Sequence, residues 1–352
     1  MRKKFALWGW VCVIVLAFAS CVNAMSYVGG GERTEASLKE LLETRKRRYA
    51  ENKPSVASAL KVTGGTRTAF YHEEGNSGDS EATAYILDSE EDVAELVLRV
   101  HDGLEPSGKY YKLDFDLSID TSKGNMSWFL IGTSESPFKG HFDGNNKTIV
   151  VNIDHSANAN ENSGAAIFGY VATPSGTAIK NLNVTGTVKG AGAGGIVGFL
   201  DSGTVRDCVF YGTVEATDNE GIAGGIVAAL NGGNVTNCRV LTDSIISASK
   251  YAGGIAGIME AGRISNCTSH ATLRDAAYKG GIVGGASSTS GLSNNTYTGA
   301  TQEVGYVESN GTNGRNGDTN RNRSSSSGGG GCDVGLGAIG LSLCAALLLR
   351  KD

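Results

Sequence analysis

Small and apolar residues recur through the middle of the chain as one phrase of five. It reads Ala165-Ala166-Ile167-Phe168-Gly169, Gly194-Gly195-Ile196-Val197-Gly198 and Gly224-Gly225-Ile226-Val227-Ala228, then Gly253-Gly254-Ile255-Ala256-Gly257 and Gly280-Gly281-Ile282-Val283-Gly284. The five starts lie 29, 30, 29 and 27 residues apart. A second phrase keeps step with it: Ile179-Lys180-Asn181-Leu182, Val205-Arg206-Asp207-Cys208, Val235-Thr236-Asn237-Cys238, Ile264-Ser265-Asn266-Cys267 and Leu292-Ser293-Asn294-Asn295. A fixed period in this range marks stacked repeats. After each Asn or Asp, alternate residues are small or apolar, as in Leu182, Val184, Gly186 and Val188, which predicts a strand with one buried face. Val205 and Cys208 stand three apart, so both face inward only if the chain bends at Asp207 and its equivalents. The pattern predicts an all-β fold: a parallel β-helix, or β-solenoid, of about 29-residue repeats.

Each repeated position then has an expected task. Ile167, Ile196, Ile226, Ile255 and Ile282 form the core seam, each contributing roughly 1.5–3 kcal/mol on burial. The pairs ending at Gly195, Gly225, Gly254 and Gly281 serve a tight corner through positive φ, or a close approach of coil to coil. The column of Asp207, Asn237 and Asn266 reads as structural, with Asn237 and Asn266 stacked about 4.8 Å apart, close enough for an amide hydrogen-bond ladder.

Outside the repeats the pattern changes. Residues 1–24 have a basic start, an apolar run from Phe5 to Phe18 and the small-residue box Val22-Asn23-Ala24, which predicts an export signal cut after Ala24; lipidation at Cys21 is the alternative. Residues 25–80 are polar, with a charged helix over 34–52 that carries Leu38, Leu41, Leu42 and Tyr49 on a narrow stripe. Its Arg45-Lys46-Arg47-Arg48 run reads as a solvated face. A second helix over 89–101 has Ser89 and Asp92 as a capping box and Val93, Leu96, Val97 and Val100 on one face. That is the form of a terminal cap on a solenoid spanning 81–305. Leu113, Phe115 and Leu117 alternate with polar residues and predict a strand. Residues 306–331 are a Ser/Asn/Gly-rich spacer, and 332–352 an apolar segment with a basic end. This last stretch reads as a sorting or transmembrane segment, short for a spanning helix, with a permanent membrane anchor as the alternative.

Composition narrows this picture. Gly is 51 of 352 residues and Pro only 4, which rejects collagen and suits strands and turns. A net charge of −5 without a basic face argues against nucleic-acid binding. Of seven cysteines, only Cys208, Cys238 and Cys267 belong to the repeats. They are expected as a column of buried thiols; one disulfide or a metal site is the alternative.

Trp128-Phe129-Leu130-Ile131-Gly132 and Phe138-Lys139-Gly140-His141-Phe142-Asp143-Gly144-Asn145-Asn146 resemble the lead-in of GLUG-motif repeat proteins, and the two recurring phrases resemble the GLUG repeat itself, over about 88–300. The resemblance implies an extracellular, β-rich chain whose repeats are not catalytic. The four glycines before Cys332, the short apolar run and the basic end resemble a Synergist-type C-terminal sorting signal, within the wider class of glycyl-glycine and myxobacterial tails. That resemblance implies cleavage near Gly331-Cys332, lipid on Cys332, and two partners: the export machinery and a membrane sorting protease.

No constellation of catalytic residues stands out. Asp201, Arg206, Asp207, Asp218, Glu220, Arg239, Asp243, Glu260, Arg263 and Arg274 mostly occupy different repeat positions and are expected to scatter; His72, His101, His141, His155 and His270 are isolated. Asp201 and Glu260 read as solvated turn charges, and Asp143 as a turn residue. No cofactor or metal is expected. The sequence therefore predicts a non-catalytic, surface-displayed adhesion, glycan-binding or envelope structural module, with an unidentified extracellular glycan or protein ligand and membrane contact through the tail or a lipid. A polysaccharide-active lyase or hydrolase is the alternative, which a convergent carboxylate–Arg patch in a groove would favour. A passive spacer presenting helix 34–52 is a third.

Overall fold

The computed structural model describes residues 76–121, 130–156 and 164–308, all within one compact unit. They form a parallel β-solenoid of about seven coils. The first strands are β1 (Tyr85–Leu87), β2 (Tyr110–Leu113), β3 (Leu117–Asp120), β4 (His141–Asp143), β5 (Thr148–Asp154), β6 (Phe168–Lys180), β7 (Asn183–Gly190), β8 (Gly192–Gly194), β9 (Val197–Arg206), β10 (Val209–Ala216), β11 (Ile222–Gly224) and β12 (Val227–Leu230). Shorter strands continue the same course to Val304–Val307, two residues beyond the expected boundary.

Each full coil has four faces. Face 1 holds β1, β2, β4, the ends of β6 and β9, then Asn234–Thr236, Arg263–Ser265 and Leu292–Ser293; face 2 holds β3, β5, β7 and β10 and their successors. Face 3 holds β8, β11, Tyr251–Gly253 and Tyr278–Gly280. Face 4 holds the starts of β6 and β9, then β12, Ala256–Met259, Val283–Ala286 and Val304–Val307.

The corner between faces 1 and 2 is where the three-residue spacing placed it. Asn181, Asp207, Asn237, Asn266 and Asn294 all sit at φ 53–55°, the left-handed region that Asn and Asp tolerate best among non-glycine residues. One rung of the corner column forms, with Asn237 Nδ2 donating to Asp207 Oδ1 at 3.2 Å. Among the described residues no hydrogen bond joins the Asn237 and Asn266 amides, and Asn181 Nδ2 donates instead to Asp143 Oδ1, one position off the column, at 3.0 Å. The five repeat isoleucines are fully buried, and their backbones bond coil to coil, Ile226 N–H to Ile255 C=O at 2.9 Å.

The glycine pairs differ from expectation in one respect. None of them has positive φ; the need is for space. A Cβ on Gly224 would stand 1.9 Å from Val227 O within the same turn, and one on Gly225 would stand 2.3 Å from Gly254 O of the next coil. The first glycine lets the chain fold sharply from face 3 to face 4, and the second lets coils stack at that fold. A second correction concerns Leu113–Leu117. The alternation there is two strands rather than one: β2 ends at Leu113, β3 starts at Leu117, and the chain turns at Asp114–Asp116, with Asp116 Oδ1 accepting the Thr148 N–H at 2.8 Å.

Helix α1 (Glu90–His101) closes the first coil. Ser89 caps it, with its Oγ accepting the Asp92 N–H while Asp92 Oδ2 accepts the Ser89 N–H. Val93, Leu96, Val97 and Val100 join the same core as the strands, and Ser136 Oγ donates to His101 O. The other end is closed differently. Where earlier coils place Cys and Ile, the last places Asn295 and Glu303. Asn295 Oδ1 accepts the Cys267 N–H at 3.0 Å, its Nδ2 donates to Ile264 O and Glu303 Oε1, and Glu303 O accepts the Ile282 N–H. Polar groups replace the two interior columns at the last of the described coils.

Candidate functional site

In-register pairing brings together residues that lie far apart in sequence. Tyr111, Phe142, Ile179 and Val205 point into the core, so Lys112, Asp143, Lys180 and Arg206, one residue on, point outward. They pair in register: Lys112 with Asp143, Asp143 with Lys180, Lys180 with Arg206. At about 4.8 Å per step, they form a row along the solenoid axis over four coils. Two residues back on the same strands, Tyr110 and His141 stack with centroids 4.1 Å apart and planes 24° apart. The short 3-10 turn Glu81–Thr83 supplies the opposite wall, with the Glu81 carboxylate on Lys180 Nζ. The result is a groove of about 430 Å³, to which Ser175, Gly176 and Thr177 also contribute.

The groups in this groove are not equivalent. Asp143 is committed to structure: Oδ1 accepts the Asn145 N–H at 2.8 Å and Asn181 Nδ2 at 3.0 Å, and Oδ2 stands 3.3 Å from Lys180 Nζ. Arg206 is paired with Asp207 and donates through Nε to Thr177 Oγ1 at 3.2 Å. Lys112 makes no ion pair among the described residues. His141 Nδ1 stands 2.7 Å from the Thr177 carbonyl oxygen, which accepts only, so Nδ1 carries the proton and Nε2 of the neutral ring is left as an acceptor. Below the floor, Tyr111, Phe138, Phe168 and Phe142 make a chain of ring contacts.

Of the charged residues weighed from sequence, Arg206 lines this groove and Asp207 pairs with it. Asp201, Asp218, Glu220, Arg239, Asp243, Glu260, Arg263 and Arg274 lie outside it. His141 is not isolated, as the sequence reading had it, but shares one wall with Asp143 two residues on, which also bonds the Asn145 N–H as a turn residue does. Lys112, Lys180, Tyr110 and Glu81 were missed as site residues. Lys180 precedes the Asn of the second phrase, so the column Lys180–Arg206–Thr236 was visible; its extension back to Asp143 was hidden because that step spans 37 residues rather than 29. Glu260 also departs from the solvated turn expected of it: Oε1 is buried without a hydrogen-bond partner among the described residues, and burial, then Glu308, pushes its carboxyl up.

The three repeat cysteines are free, buried thiols. Cys208 Sγ donates to Arg206 O at 3.1 Å, Cys238 Sγ to Thr236 O at 3.4 Å and Cys267 Sγ to Ser265 O at 3.4 Å. Burial pushes the Cys238 thiol well up, and the Cys238 thiol together with burial does the same to Cys267, which disfavours the thiolate that metal binding requires. Among the described residues no His, Cys, Asp or Glu cluster could hold a metal ion. The processing residues Ala24, Gly331 and Cys332, the 34–52 helix, the tail and the Trp128-Phe129 pair lie outside the described residues. Among those described, no helix is long and apolar enough to cross a membrane.

No family model matches the chain, and no curated protein matches it. Among solved structures it is similar to one described as "a putative immunoglobulin A1 protease from Bacteroides ovatus", at 19% identity, over 66% of this chain and 86% of that one, with a TM-score of 0.45. A likeness at that level carries no argument about activity.

Proposed function

We propose that this is an exported, surface-displayed repeat protein whose solenoid binds a saccharide along the face 1 groove without turning it over. The observation that carries the reading is the groove itself: an aromatic–imidazole stack beside a row of fixed polar and charged groups. Stacked rings offer an apolar face to sugar C–H groups, while Lys112, Arg206 and the His141 Nε2 acceptor offer hydrogen bonds to hydroxyls. The leader-like residues 1–24 and the resemblance of the tail to a sorting signal support export, cleavage after Ala24, and processing near Gly331-Cys332 by a membrane protease. Intact mass of the protein from its native envelope fraction tests this; a chain that retains Val334–Asp352 sinks the processing proposal. Binding is tested on a panel of polysaccharides. Replacing Tyr110 by Ala is expected to weaken the selected ligand roughly fivefold or more, the loss typical of a central aromatic contact.

One observation favours a catalytic reading: His141 and Asp143 converge with Lys180 and Arg206 in one groove. Against it, Asp143 accepts two N–H bonds and faces Lys180, so it has no free oxygen to act as acid or base. Incubation with acidic polysaccharide that yields new reducing ends or unsaturated product, lost in His141→Ala, would establish catalysis and overturn the binding-only reading.

A further inference from the structure

The charges in the groove point to the class of saccharide, on the premise that the groove binds one. We propose that its ligand is a linear acidic saccharide, and that Glu81 occupies the ligand carboxylate's place on Lys180 until that ligand arrives. The row holds three cations, Lys112, Lys180 and Arg206, against one carboxylate, Asp143, which the fold uses for itself. Arg206 is neutralised by its neighbour Asp207. Lys112 is unpaired among the described residues. Lys180, nearly buried with 10% of its side chain exposed, faces both Asp143 and Glu81.

The two carboxylates on Lys180 are held very differently. Asp143 is 18% exposed and tied by backbone and side-chain donors; Glu81 is 67% exposed and hangs from a three-residue turn. An ion pair with so exposed a partner is weakly held. A ligand carboxylate displaces it at small cost and then meets a lysine already desolvated and oriented. Lys112 and Lys180 lie two coil steps apart, about 9.6 Å, on a row parallel to the axis. A linear polymer with carboxylates at intervals reaches both, with its intervening ring over Asp143 and its edge toward Tyr110 and His141. Glu81 thereby sets a selectivity: a neutral chain has nothing to offer Lys180 in exchange.

The test uses the full chain and two probes with one backbone, oligomers of polygalacturonate and the same oligomers fully methyl-esterified, titrated by calorimetry. Glu81→Gln is expected to bind the acid about two- to fivefold tighter, the range set by release of an exposed ion pair, and to bind the ester unchanged. Lys112→Met is expected to weaken the acid more than the ester. A Glu81→Gln variant that leaves the acid-to-ester ratio unchanged, or lowers it, overturns the stand-in role, and the groove reading survives if Tyr110→Ala still weakens binding. If neither probe binds the parent protein, the acidic class is wrong. If Tyr110→Ala leaves saccharide binding intact, the groove reading falls with it.

Discussion

Asn237 and Gly225 stand 12 residues apart and solve different problems with residue types that are often treated alike. Asn237 sits at φ 53° and needs a residue that tolerates the left-handed region; its amide also anchors to Asp207. Asn237→Ala is expected to cost about 1–2 kcal/mol and Asn237→Gly less, as measured by urea unfolding. Gly225 needs absence of bulk, so Gly225→Ala is expected to cost about 1–3 kcal/mol or more by forcing coils apart. Equal costs for the Ala and Gly variants of Asn237 would deny the backbone argument. The sequence showed that both positions were special and offered the close coil approach that Gly225 makes, but expected the positive φ at glycine rather than at Asn237, because spacing marks a turn without saying whether torsion or volume limits it.

His155 carries a separate prediction. It is buried, its Nε2 has no hydrogen-bond partner among the described residues, and burial holds its pKa down at about 4 against an ordinary 6.5. Below pH 6.5 the unfolded chain takes up a proton that the folded chain refuses. This group's contribution to stability is therefore complete above about pH 6.5 and lost as pH falls to about 4, by roughly 3 kcal/mol in all. Unfolding curves from pH 7 to 4 should be steeper for the parent chain than for His155→Leu; parallel curves would rule it out.

Among the elements, α1 is the one whose task was fully legible. Its cap, its apolar stripe and its place before the repeats are local features, and local features survive without knowledge of the fold. Leu96→Asp puts a charge at a fully buried position between helix and first coil. It is expected to uncover that coil and produce concentration-dependent association in light scattering; a monomer of parental stability would show that the helix is dispensable. The face 1 row was illegible for the opposite reason. Lys112, Asp143, Lys180 and Arg206 become neighbours only through strand register, and the early coils depart from the 29-residue spacing that aligns the later ones. Glu81 was harder still, since it reaches Lys180 across 99 residues from outside the repeat.

For the molecule as a whole, the two ends are closed by unlike means: an apolar helix at one and the Asn295–Glu303 polar pair at the other. Restoring the repeat's residues with Asn295→Cys and Glu303→Ile removes the polar closure while α1 still blocks the first coil. Because one sticky end per molecule can only meet another like it, the expected product is a closed tail-to-tail dimer rather than a filament, seen as a doubled mass in light scattering. A double variant that remains monomeric, or one that forms fibres, would contradict this. The placement of the groove has a mechanical consequence. A load applied to the chain beyond Val307 falls on the last ladder, where Val304, Tyr306 and Val307 pair with Val283, Gly285 and Ala286, and it peels that strand one rung at a time. Tyr110 to Arg206 lie in the coils nearest the helix, so three further turns must unwind before tension reaches the groove. A load pulling from that end would spend itself lengthening the chain while the groove in the first coils kept its shape.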